Sequence, residues 1–437
     1  MNRIKTLLAT TAAAGALLSA GAAFADDAPA AAPAAPASWT DGIKIKAQVE
    51  VGYTGNADNP DSGLNWGHAF TDKSDRALLN GVSLTFERDP DTSSKTLDVG
   101  FKVQASYGSD ARYTQLVGQF NHSFDSVNQF DLVEANVQAH VPILTPGGME
   151  FKIGQYGTLE GEEVMDPSGN FFYSHSYIFN FSIPLKHTGI MTETHLSPMV
   201  DLYLGIDSGV NTFLGSGGGA NDSAVHFHGG VGLNLPNLTI LATTHIGPES
   251  YTTGFPNPFH PEGVKKNRYL NDVVMTYSGL KNWTLALEGN YTYDDFFKVS
   301  AGGAAGYAEY AITPDITIGL RAEVWADPNN FFAAAYRGHY DFINFEGGYG
   351  PATAIATSPT SGKGYTYGEF TLGLNYKPQK VPAAISGIVV RPEIRYDTAF
   401  TGGTPYDVRW NSGAGAFQGT KKDQFTFGID FVVPFHL

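Results

Sequence analysis

Apolar and polar residues alternate along most of this chain from residue 43 onward. The stretch IKIKAQVEVGYT (43–54) has an apolar residue at every odd position, with Lys, Lys, Gln and Glu at the first four even positions. Successive side chains of a β-strand point to opposite faces, so this two-residue period predicts a strand with one apolar and one polar face. The terminal stretch DQFTFGIDFVVPFHL (423–437) keeps the alternation from Phe425 to Leu437.

About 16 segments share this period and the length of about 9–11 residues that a tilted strand needs to cross a bilayer. The predicted strands are 43–54, 79–88, 96–107, 130–141, 149–158, 186–196, 199–208, 224–235, 238–246, 269–278, 282–293, 304–313, 316–326, 365–376, 386–397 and 423–437. The strand count is uncertain by about two, so about 14 or 18 strands are the alternatives to 16. Segment 331–350 could form an extra hairpin, which would make 18.

The connections between these segments alternate between short and long. The short ones contain turn residues, as in Asp89-Pro90-Asp91 and Pro146-Gly147-Gly148. The long ones, rich in Gly, Asn and Asp, are 55–78, 109–129, 159–185, 209–223, 247–268, 294–303, 327–364 and 398–422. This asymmetry is typical of outer-membrane β-barrels, whose short turns face the periplasm and whose long loops face outside.

The polar face of the predicted strands is rich in charge, which indicates an all-β, transmembrane antiparallel barrel that is apolar toward lipid and polar within. A soluble β-sandwich also shows alternation. However, a chain of this length would need several sandwiches, and no linker divides it. Because a closed barrel has no free edge, the terminal strand 423–437 is expected to pair with the first strand, 43–54.

The first 25 residues have the order of a secretory signal peptide: the basic residues Arg3 and Lys5, a short apolar stretch, and Ala23-Phe24-Ala25 at the end. An amphipathic N-terminal helix is the alternative. Residues 26–40 are rich in Ala and Pro and are predicted to form an extended periplasmic linker, or a tail without a role. The barrel is predicted to span residues 41–437.

Composition narrows the function further. The full chain has a formal net charge of −16, and removal of residues 1–25 would change it to −18, which argues against nucleic acid as a partner. The absence of cysteine excludes catalytic thiols and thiolate metal sites. Beyond the leader no apolar run reaches about 18 residues, whereas 29 Phe, 22 Tyr and 51 Gly suit an all-β chain.

The most specific local pattern lies in GQYGTLEGEEVMDPSGNFFYSHSYIFNFSIPLKHTGI (154–190). Its distinctive features are Gly154, Gly161, Glu163, Asn170, Tyr173-Ser174-His175-Ser176, Pro184 and His187-Thr188-Gly189. On these features the segment resembles the OmpL-like β-barrel porin family. The resemblance implies a Gram-negative outer-membrane porin, and it implies no particular solute.

A barrel of about 16 strands is wide enough for an aqueous channel, and a loop that folds inward can narrow it. The third long loop, 159–185, is expected to do so, with its aromatic run 171–181 packed against the wall. The candidate constriction residues are Glu160, Glu162, Glu163, Asp166, Arg321, Arg391 and Arg395. In the alternative interpretation, the loop acids are solvated and the arginines form salt bridges within the wall with Glu323, Glu393 and Asp397.

Two further patterns are weaker. His226 and His228 lie on one strand face and could chelate a metal, but no third ligand is evident in the sequence, so two lumen-wall histidines are favoured and no metal or cofactor is predicted. The glycines of 215–219 and 302–306 lack the strand–loop–helix context of a phosphate loop and are interpreted as loop glycines.

The end of the chain carries an expected assembly signal. Phe431, Phe435 and Leu437 resemble the aromatic C-terminal pattern that the assembly machinery of outer-membrane barrels reads, except that the last residue is Leu and not Phe. The expected partners are therefore this machinery, outer-membrane lipid and lipopolysaccharide, and small hydrophilic solutes, with a homotrimer as one option.

These observations predict a porin that allows passive diffusion of small hydrophilic solutes or ions, with a modest preference for cations. An outer-membrane barrel hydrolase is one alternative, but the chain has no Gly-x-Ser-x-Gly or His-Glu-x-x-His pattern, and no catalytic residue is predicted. A surface, adhesion or structural barrel with a plugged lumen is the other alternative.

Overall fold

Sixteen antiparallel strands close into a single barrel in this computed structural model. The structure describes residues 38–116, 119–120, 124, 127–214, 224–248, 266–295, 298–333, 364–382 and 384–436. The barrel strands are β1 (Lys44–Asn56), β2 (Arg76–Arg88), β3 (Asp98–Gly108), β4 (Gln129–Val141), β5 (Met149–Gly157), β6 (Lys186–Ser197), β7 (Val200–Asp207), β8 (His226–Leu235), β9 (Leu238–Pro248), β10 (Asn267–Tyr277), β11 (Trp283–Asp294), β12 (Val299–Ala311), β13 (Ile316–Asp327), β14 (Tyr365–Tyr376), β15 (Val389–Thr401) and β18 (Asp423–His436).

A separate hairpin of β16 (Arg409–Asn411) and β17 (Ala416–Gln418) stands between β15 and β18 along the chain. The helices are all short: η1 (Trp39–Gly42), α1 (Ala111–Thr114), η2 (Pro167–Gly169) and α2 (Tyr177–Phe181). None of the helices in the described part of the chain is long and apolar enough to span a bilayer.

The first and last strands complete the wall. β18 pairs with β1 on one side, where Val433 lies opposite Val49, and with β15 on the other, where Phe431 lies opposite Val390. The sequence prediction that the terminal segment is part of the wall is therefore confirmed, and its backbone groups are satisfied by two neighbours. Leu437 lies outside the described residues.

Burial on the strands is inverted relative to a soluble protein. On β13, Leu320 and Val324 are exposed by 45% and 50%, whereas Arg321 and Glu323, which lie between them in the sequence, are buried. The outward face is thus apolar and suited to lipid, while charged side chains point into the barrel. The alternation read from the sequence corresponds to these two faces.

The predicted strands match the observed ones, with one clear difference at β12. The loop predicted at 294–303 is only residues 295–298, and the glycines between 302 and 306 belong to β12 rather than to a loop. Ala301 and Ala305 of β12 belong to the same buried cluster as α2 inside the barrel. These small residues leave room for α2 on the first part of the inner face of β12, and the buried Tyr307 follows them on the same face.

Some predicted segments fall outside the described residues. These are the signal peptide 1–25, most of the linker 26–40, the glycines of 215–219 and nearly all of the possible hairpin 331–350.

A buried hydrophobic cluster lies inside the barrel. Trp66 and Phe70 from the first loop meet Tyr113 of α1 and Tyr177 and Phe179 of α2 in one buried cluster. Loops therefore fill a large part of the lumen, and the position of the remaining space depends on how they are held.

Candidate functional site

The third loop, L3 (residues 158–185), leaves β5 and folds into the barrel before it joins β6. Side chains cap both of its short helices. Asp166 accepts a hydrogen bond from the backbone of Ser168 at the start of η2, and Ser176 accepts one from Phe179 at the start of α2. Such caps satisfy the unpaired N–H groups of the first turn and fix the path of the chain. α2 lies against β12 and β13.

Glu163 is the most heavily bonded carboxylate of L3. It lies 2.7 Å from Nη1 of Arg321 and 2.8 Å from Nδ1 of His175, and it also accepts the backbone N–H of Ser176. Burial by itself would raise the pKa of Glu163, but the Arg321 guanidinium and the hydrogen bond with His175 hold this pKa at about 2. Glu163 is therefore ionised and joins two parts of L3 to the wall.

Arg321 binds L3 from the wall strand β13. Its guanidinium donates to the Glu369 carboxylate at 2.5 Å, and Nη1 donates to the Ser174 carbonyl at 2.7 Å. The Arg321 side chain is fully buried. The carboxylates of Glu163 and Glu369 pair with the Arg321 guanidinium and compensate its positive charge.

Arg391 on β15 makes the same kind of contact at another point of L3. It pairs with Asp430 at 2.5 Å and with Glu50 at 3.2 Å. Its Nη1 donates to the carbonyls of Pro167 and Asn170 at 2.7 and 2.8 Å. A guanidinium has five donors in a fixed plane, so one side chain can hold both a wall carboxylate and two loop carbonyls.

Arg395, two residues further along β15, completes a set of three. It donates to Asp397 at 2.7 Å and to the His175 carbonyl at 2.5 Å. All three wall arginines named by the sequence analysis therefore contact the backbone of L3, and each also has a carboxylate partner on the wall.

Two wall carboxylates accept hydrogen bonds from the L3 backbone, whereas the arginines donate hydrogen bonds to it. Glu323 accepts the backbone N–H groups of Tyr177 and Ile178 at 2.6 and 2.8 Å. Glu393 accepts those of residues 173 and 174 at 2.9 and 3.1 Å. Sequence reasoning offered Glu323, Glu393 and Asp397 as salt-bridge partners of the arginines. Among the described ion pairs only Asp397 has this role, with Arg395, whereas Glu323 and Glu393 bind the L3 backbone instead.

Aromatic packing adds to the polar contacts. The ring of Tyr177 stacks on Tyr367 at 4.9 Å and on Trp325 at 5.7 Å between centroids. Phe172 lies over Gly373 of β14, where an added Cβ would come within 2.9 Å of the ring. A glycine at this wall position permits the close approach of L3. The aromatic run of L3 thus packs against the wall as the sequence analysis expected.

The remaining predicted carboxylates occupy different surroundings. Glu160 is buried near the start of L3, and Glu162 is half-buried beside Thr276. Burial, reinforced by Glu309, raises the pKa of Glu162 to about 8, so this side chain carries little charge at neutral pH. Asp166 receives a hydrogen bond from Gln48 of β1 at 3.2 Å and is only partly buried.

A small opening of about 50 Å³ lies between residues 165–167 of L3 and the wall formed by β1–β4. Its lining is dominated by amide, hydroxyl and carboxyl side chains: Gln48, Glu50, Asn80, Ser83, Gln104, Ser106, Asp110, Thr114 and Asp166. Most of the charged wall groups that bind the L3 backbone thus lie on β13 and β15, whereas on the side of β1–β4 the opening separates parts of L3 from the wall, and contacts such as that of Tyr173 with Asn80 lie beside it.

Asp110 is a residue of this opening that sequence reasoning missed. It accepts a hydrogen bond from Asn80 at 2.9 Å and immediately precedes α1. Burial raises the pKa of Asp110 to about 7, although the bond from Asn80 opposes the shift. Its position inside a long loop gave no signal, whereas Gln48 and Glu50 were visible as polar positions of the first predicted strand.

Solved structures of similar fold are outer-membrane channels and proteins. The anion-selective porin from Comamonas acidovorans aligns with a TM-score of 0.56 at 10% identity, over 90% of this chain and 99% of that one. OprB of Pseudomonas putida aligns with a TM-score of 0.54 at 15% identity, over 91% and 95%. OmpT of Vibrio cholerae, in its trimer form, gives 0.53 at 11% identity, over 90% and 99%.

These likenesses, at low identity, establish the barrel architecture. No curated protein matches the chain significantly. The family model described as "Putative beta-barrel porin-2, OmpL-like" matches residues 42–435, which is nearly the whole barrel and includes the segment that carries the local resemblance. The chain is therefore a bacterial outer-membrane β-barrel protein that belongs to the OmpL-like beta-barrel porin-2 family.

Proposed function

We propose that the barrel is a passive channel for small hydrophilic solutes or ions, in which L3 narrows the lumen to the opening beside β1–β4. The observation that carries this proposal is how L3 is held: most of the charged wall groups that bind its backbone lie on β13 and β15, and an opening bordered by polar side chains remains beside β1–β4. Such side chains offer hydrogen bonds to hydrated solutes.

The charges at the opening favour a modest preference for cations. Asp110 and Asp166 border the space with Glu50. Arg391, which lies beside it, is compensated by Asp430 and Glu50. Of the predicted constriction residues, we place Asp166 at the opening itself and assign Glu163 and the three arginines to the support of L3.

We further propose that the protein assembles as a homotrimer, which the trimer form of the structurally similar Vibrio cholerae OmpT supports. A homotrimer would have about three times the mass of the protomer in analytical ultracentrifugation of the detergent-solubilised protein.

No catalytic step is part of the proposal, and the family and its structural neighbours favour a role without catalysis.

The proposal is tested by conductance. The folded protein should form open channels in planar bilayers and admit small sugars into liposomes. Asp166→Asn should lower the permeability ratio of K⁺ to Cl⁻, because it removes a carboxylate from the opening. Asp61→Asn is the matched control: Asp61 is exposed by 48% at the side chain and pairs with Arg409 in an outer loop, so its loss should leave selectivity unchanged.

Two outcomes would contradict the proposal. A correctly folded barrel without conductance or solute uptake would favour the structural barrel with a plugged lumen. Equal selectivity of the wild type and the Asp166→Asn variant would remove Asp166 from the solute path.

A further inference from the structure

Four histidines and one aspartate meet in the wall near the two ends of L3. His187 follows L3 on β6, Asp207 ends β7, His226 and His228 begin β8, and His245 lies on β9. All five side chains are at most 5% exposed. They are part of the buried inner face and have no role in the polar opening described above.

The antiparallel register brings these residues together. Asp207 lies opposite His226, and His228 lies opposite His245. Nδ1 of His187 is 3.2 Å from Asp207, and Nε2 of His245 is 2.9 Å from it. One ligand atom each from His187, Asp207 and His228 lies within 4.8 Å of the others, and the same is true of Asp207, His226 and His245.

Unpaired polar atoms provide a second, independent observation. Among the described residues, neither ring nitrogen of His228 has a hydrogen-bond partner, although its side chain is completely buried. Both carboxylate oxygens of Glu160 in L3 also lack a partner there, and one of them is 4.0 Å from Nε2 of His228. Buried polar groups are normally paired, so the lack of hydrogen-bond partners for these two side chains among the described residues needs an explanation.

A metal cation would account for both observations. Imidazole and carboxylate ligands together suit Zn²⁺ and other first-row divalent transition metals. The sequence alone offered only His226 and His228, two residues apart on one strand, without a third ligand. The barrel supplies the missing ligands from the adjoining strand β7 and from β6, next to L3.

We propose that His187, Asp207 and His228 bind one divalent transition-metal ion, with Zn²⁺ as the best match to the ligand set. His226 and His245 lie beside Asp207 as further imidazoles. His187 lies two residues after L3, and Glu160 lies near its start, so the ion would stabilise the attachment of both ends of L3 to the wall. This site is structural, and it is independent of whether the opening conducts.

The test uses untagged full-length mature barrel, folded into detergent after treatment with a chelator. Titration calorimetry with ZnCl₂ should show one tight Zn²⁺ per protomer, and Zn²⁺ should raise the melting temperature. His187→Gln and His228→Gln should each weaken binding at least about tenfold. The matched control is His195→Gln, because His195 belongs to a different group of candidate ligands with Glu150 and Glu193, and this variant should bind Zn²⁺ like the wild type.

Absence of tight binding to the folded wild type would overturn the proposal. Loss of binding in His195→Gln with retention in His228→Gln would also overturn it, since the metal would then belong to the other group. If the His228 variant does not fold, X-ray absorption at the zinc edge of the wild type decides: nitrogen ligands with imidazole scattering at about 2.0–2.1 Å support the site, and a shell without imidazole rejects it.

Discussion

The three wall arginines buried inside this barrel lie in compensated groups, and their partners include the backbone of a loop. Arg321 has Glu163 and Glu369 around its guanidinium and the Ser174 carbonyl at 2.7 Å. Removal of one member of such a group leaves the others buried without compensation, which costs more than the pair contributes. By contrast, Lys44 pairs with Asp89 on the surface, where the two side chains are exposed by 54% and 40%.

This contrast leads to a prediction about stability. Arg321→Met should lower the free energy of unfolding by about 3–5 kcal/mol, because Glu163 and Glu369 would keep their charges in a buried site. Lys44→Met, the control, removes a cation from the exposed pair with Asp89 and should change stability little. Urea titration of the folded barrels, followed by tryptophan fluorescence, measures both. Equal losses in the two variants would show that the buried group does not stabilise the docked loop.

A second prediction at this scale concerns pH. The pKa of Asp110 is about 7 because of burial, so this carboxyl loses its proton as the pH rises through neutrality. The permeability ratio of K⁺ to Cl⁻ should therefore increase between about pH 6 and about pH 8, which is about one pH unit on either side of this pKa. In Asp110→Asn the increase should be absent over the same range. Reversal potentials in a salt gradient report this ratio, and an identical pH profile in the variant would exclude Asp110 from the solute path.

At the scale of elements, L3 is the loop that folds into the lumen of the barrel. Its capped helices, the stacking of Tyr177 on Tyr367 and Trp325, and the arginine contacts give it one defined position. Three wall glycines are matched to this position, because a Cβ at each would come within 3 Å of an aromatic ring of L3: Gly52 of β1, Gly319 of β13 and Gly373 of β14. Wall and loop are therefore complementary surfaces.

Shortening L3 should enlarge the channel. Replacement of residues 162–182 by a short Gly-Ser linker removes the groups that β13 and β15 bind, and single-channel conductance should rise severalfold toward that of an open barrel of this strand number. Replacement of residues 409–418, the β16–β17 hairpin, serves as the control and should leave conductance near that of the wild type. Unchanged conductance after shortening of L3 would show that the loop does not restrict the lumen.

At the scale of the whole molecule, closure is what makes the strands stable in a bilayer. β18 contacts both β1 and β15 over most of its length. Without it, two strand edges would have unpaired backbone groups facing lipid, each costing several kcal/mol.

Truncation of residues 423–437 should therefore abolish the folded barrel rather than weaken it. The folded wild type should migrate faster than the heat-denatured form in unheated gel electrophoresis, and the truncated chain should show only the denatured form. A variant without the β16–β17 hairpin should retain the shift. A compact, heat-modifiable truncated protein would contradict the need for closure.

Much of the architecture was predictable because the two-residue period is a local property of the sequence. Strand positions, the alternation of turns and loops, and the pairing of the last strand with the first all follow from it. The loop predicted at 294–303 was wrong because the Gly- and Ala-rich start of β12 resembles a loop in composition. Pairing with β11 and β13 makes it a strand, and Ala301 and Ala305 pack in the same cluster as α2, more than a hundred residues away in the sequence.

The candidate site was predictable only in part. Arg321, Arg391 and Arg395 were identified by their polar strand positions, and all three contact L3. Their role as part of a constriction remains a prediction. Asp110 had no periodic signal because it lies in a loop, between β3 and α1. Its pKa depends on burial and on the hydrogen bond from Asn80 of β2, which the sequence does not show.

The sequence by itself determined that this chain forms a lipid-facing barrel with a polar interior, because alternation encodes which face each side chain takes. Only the tertiary structure decided which interior groups meet. The position of L3, the side on which the opening lies, and the meeting of His187, Asp207 and His228 all depend on register and closure, which bring residues from distant strands within a few ångströms of one another.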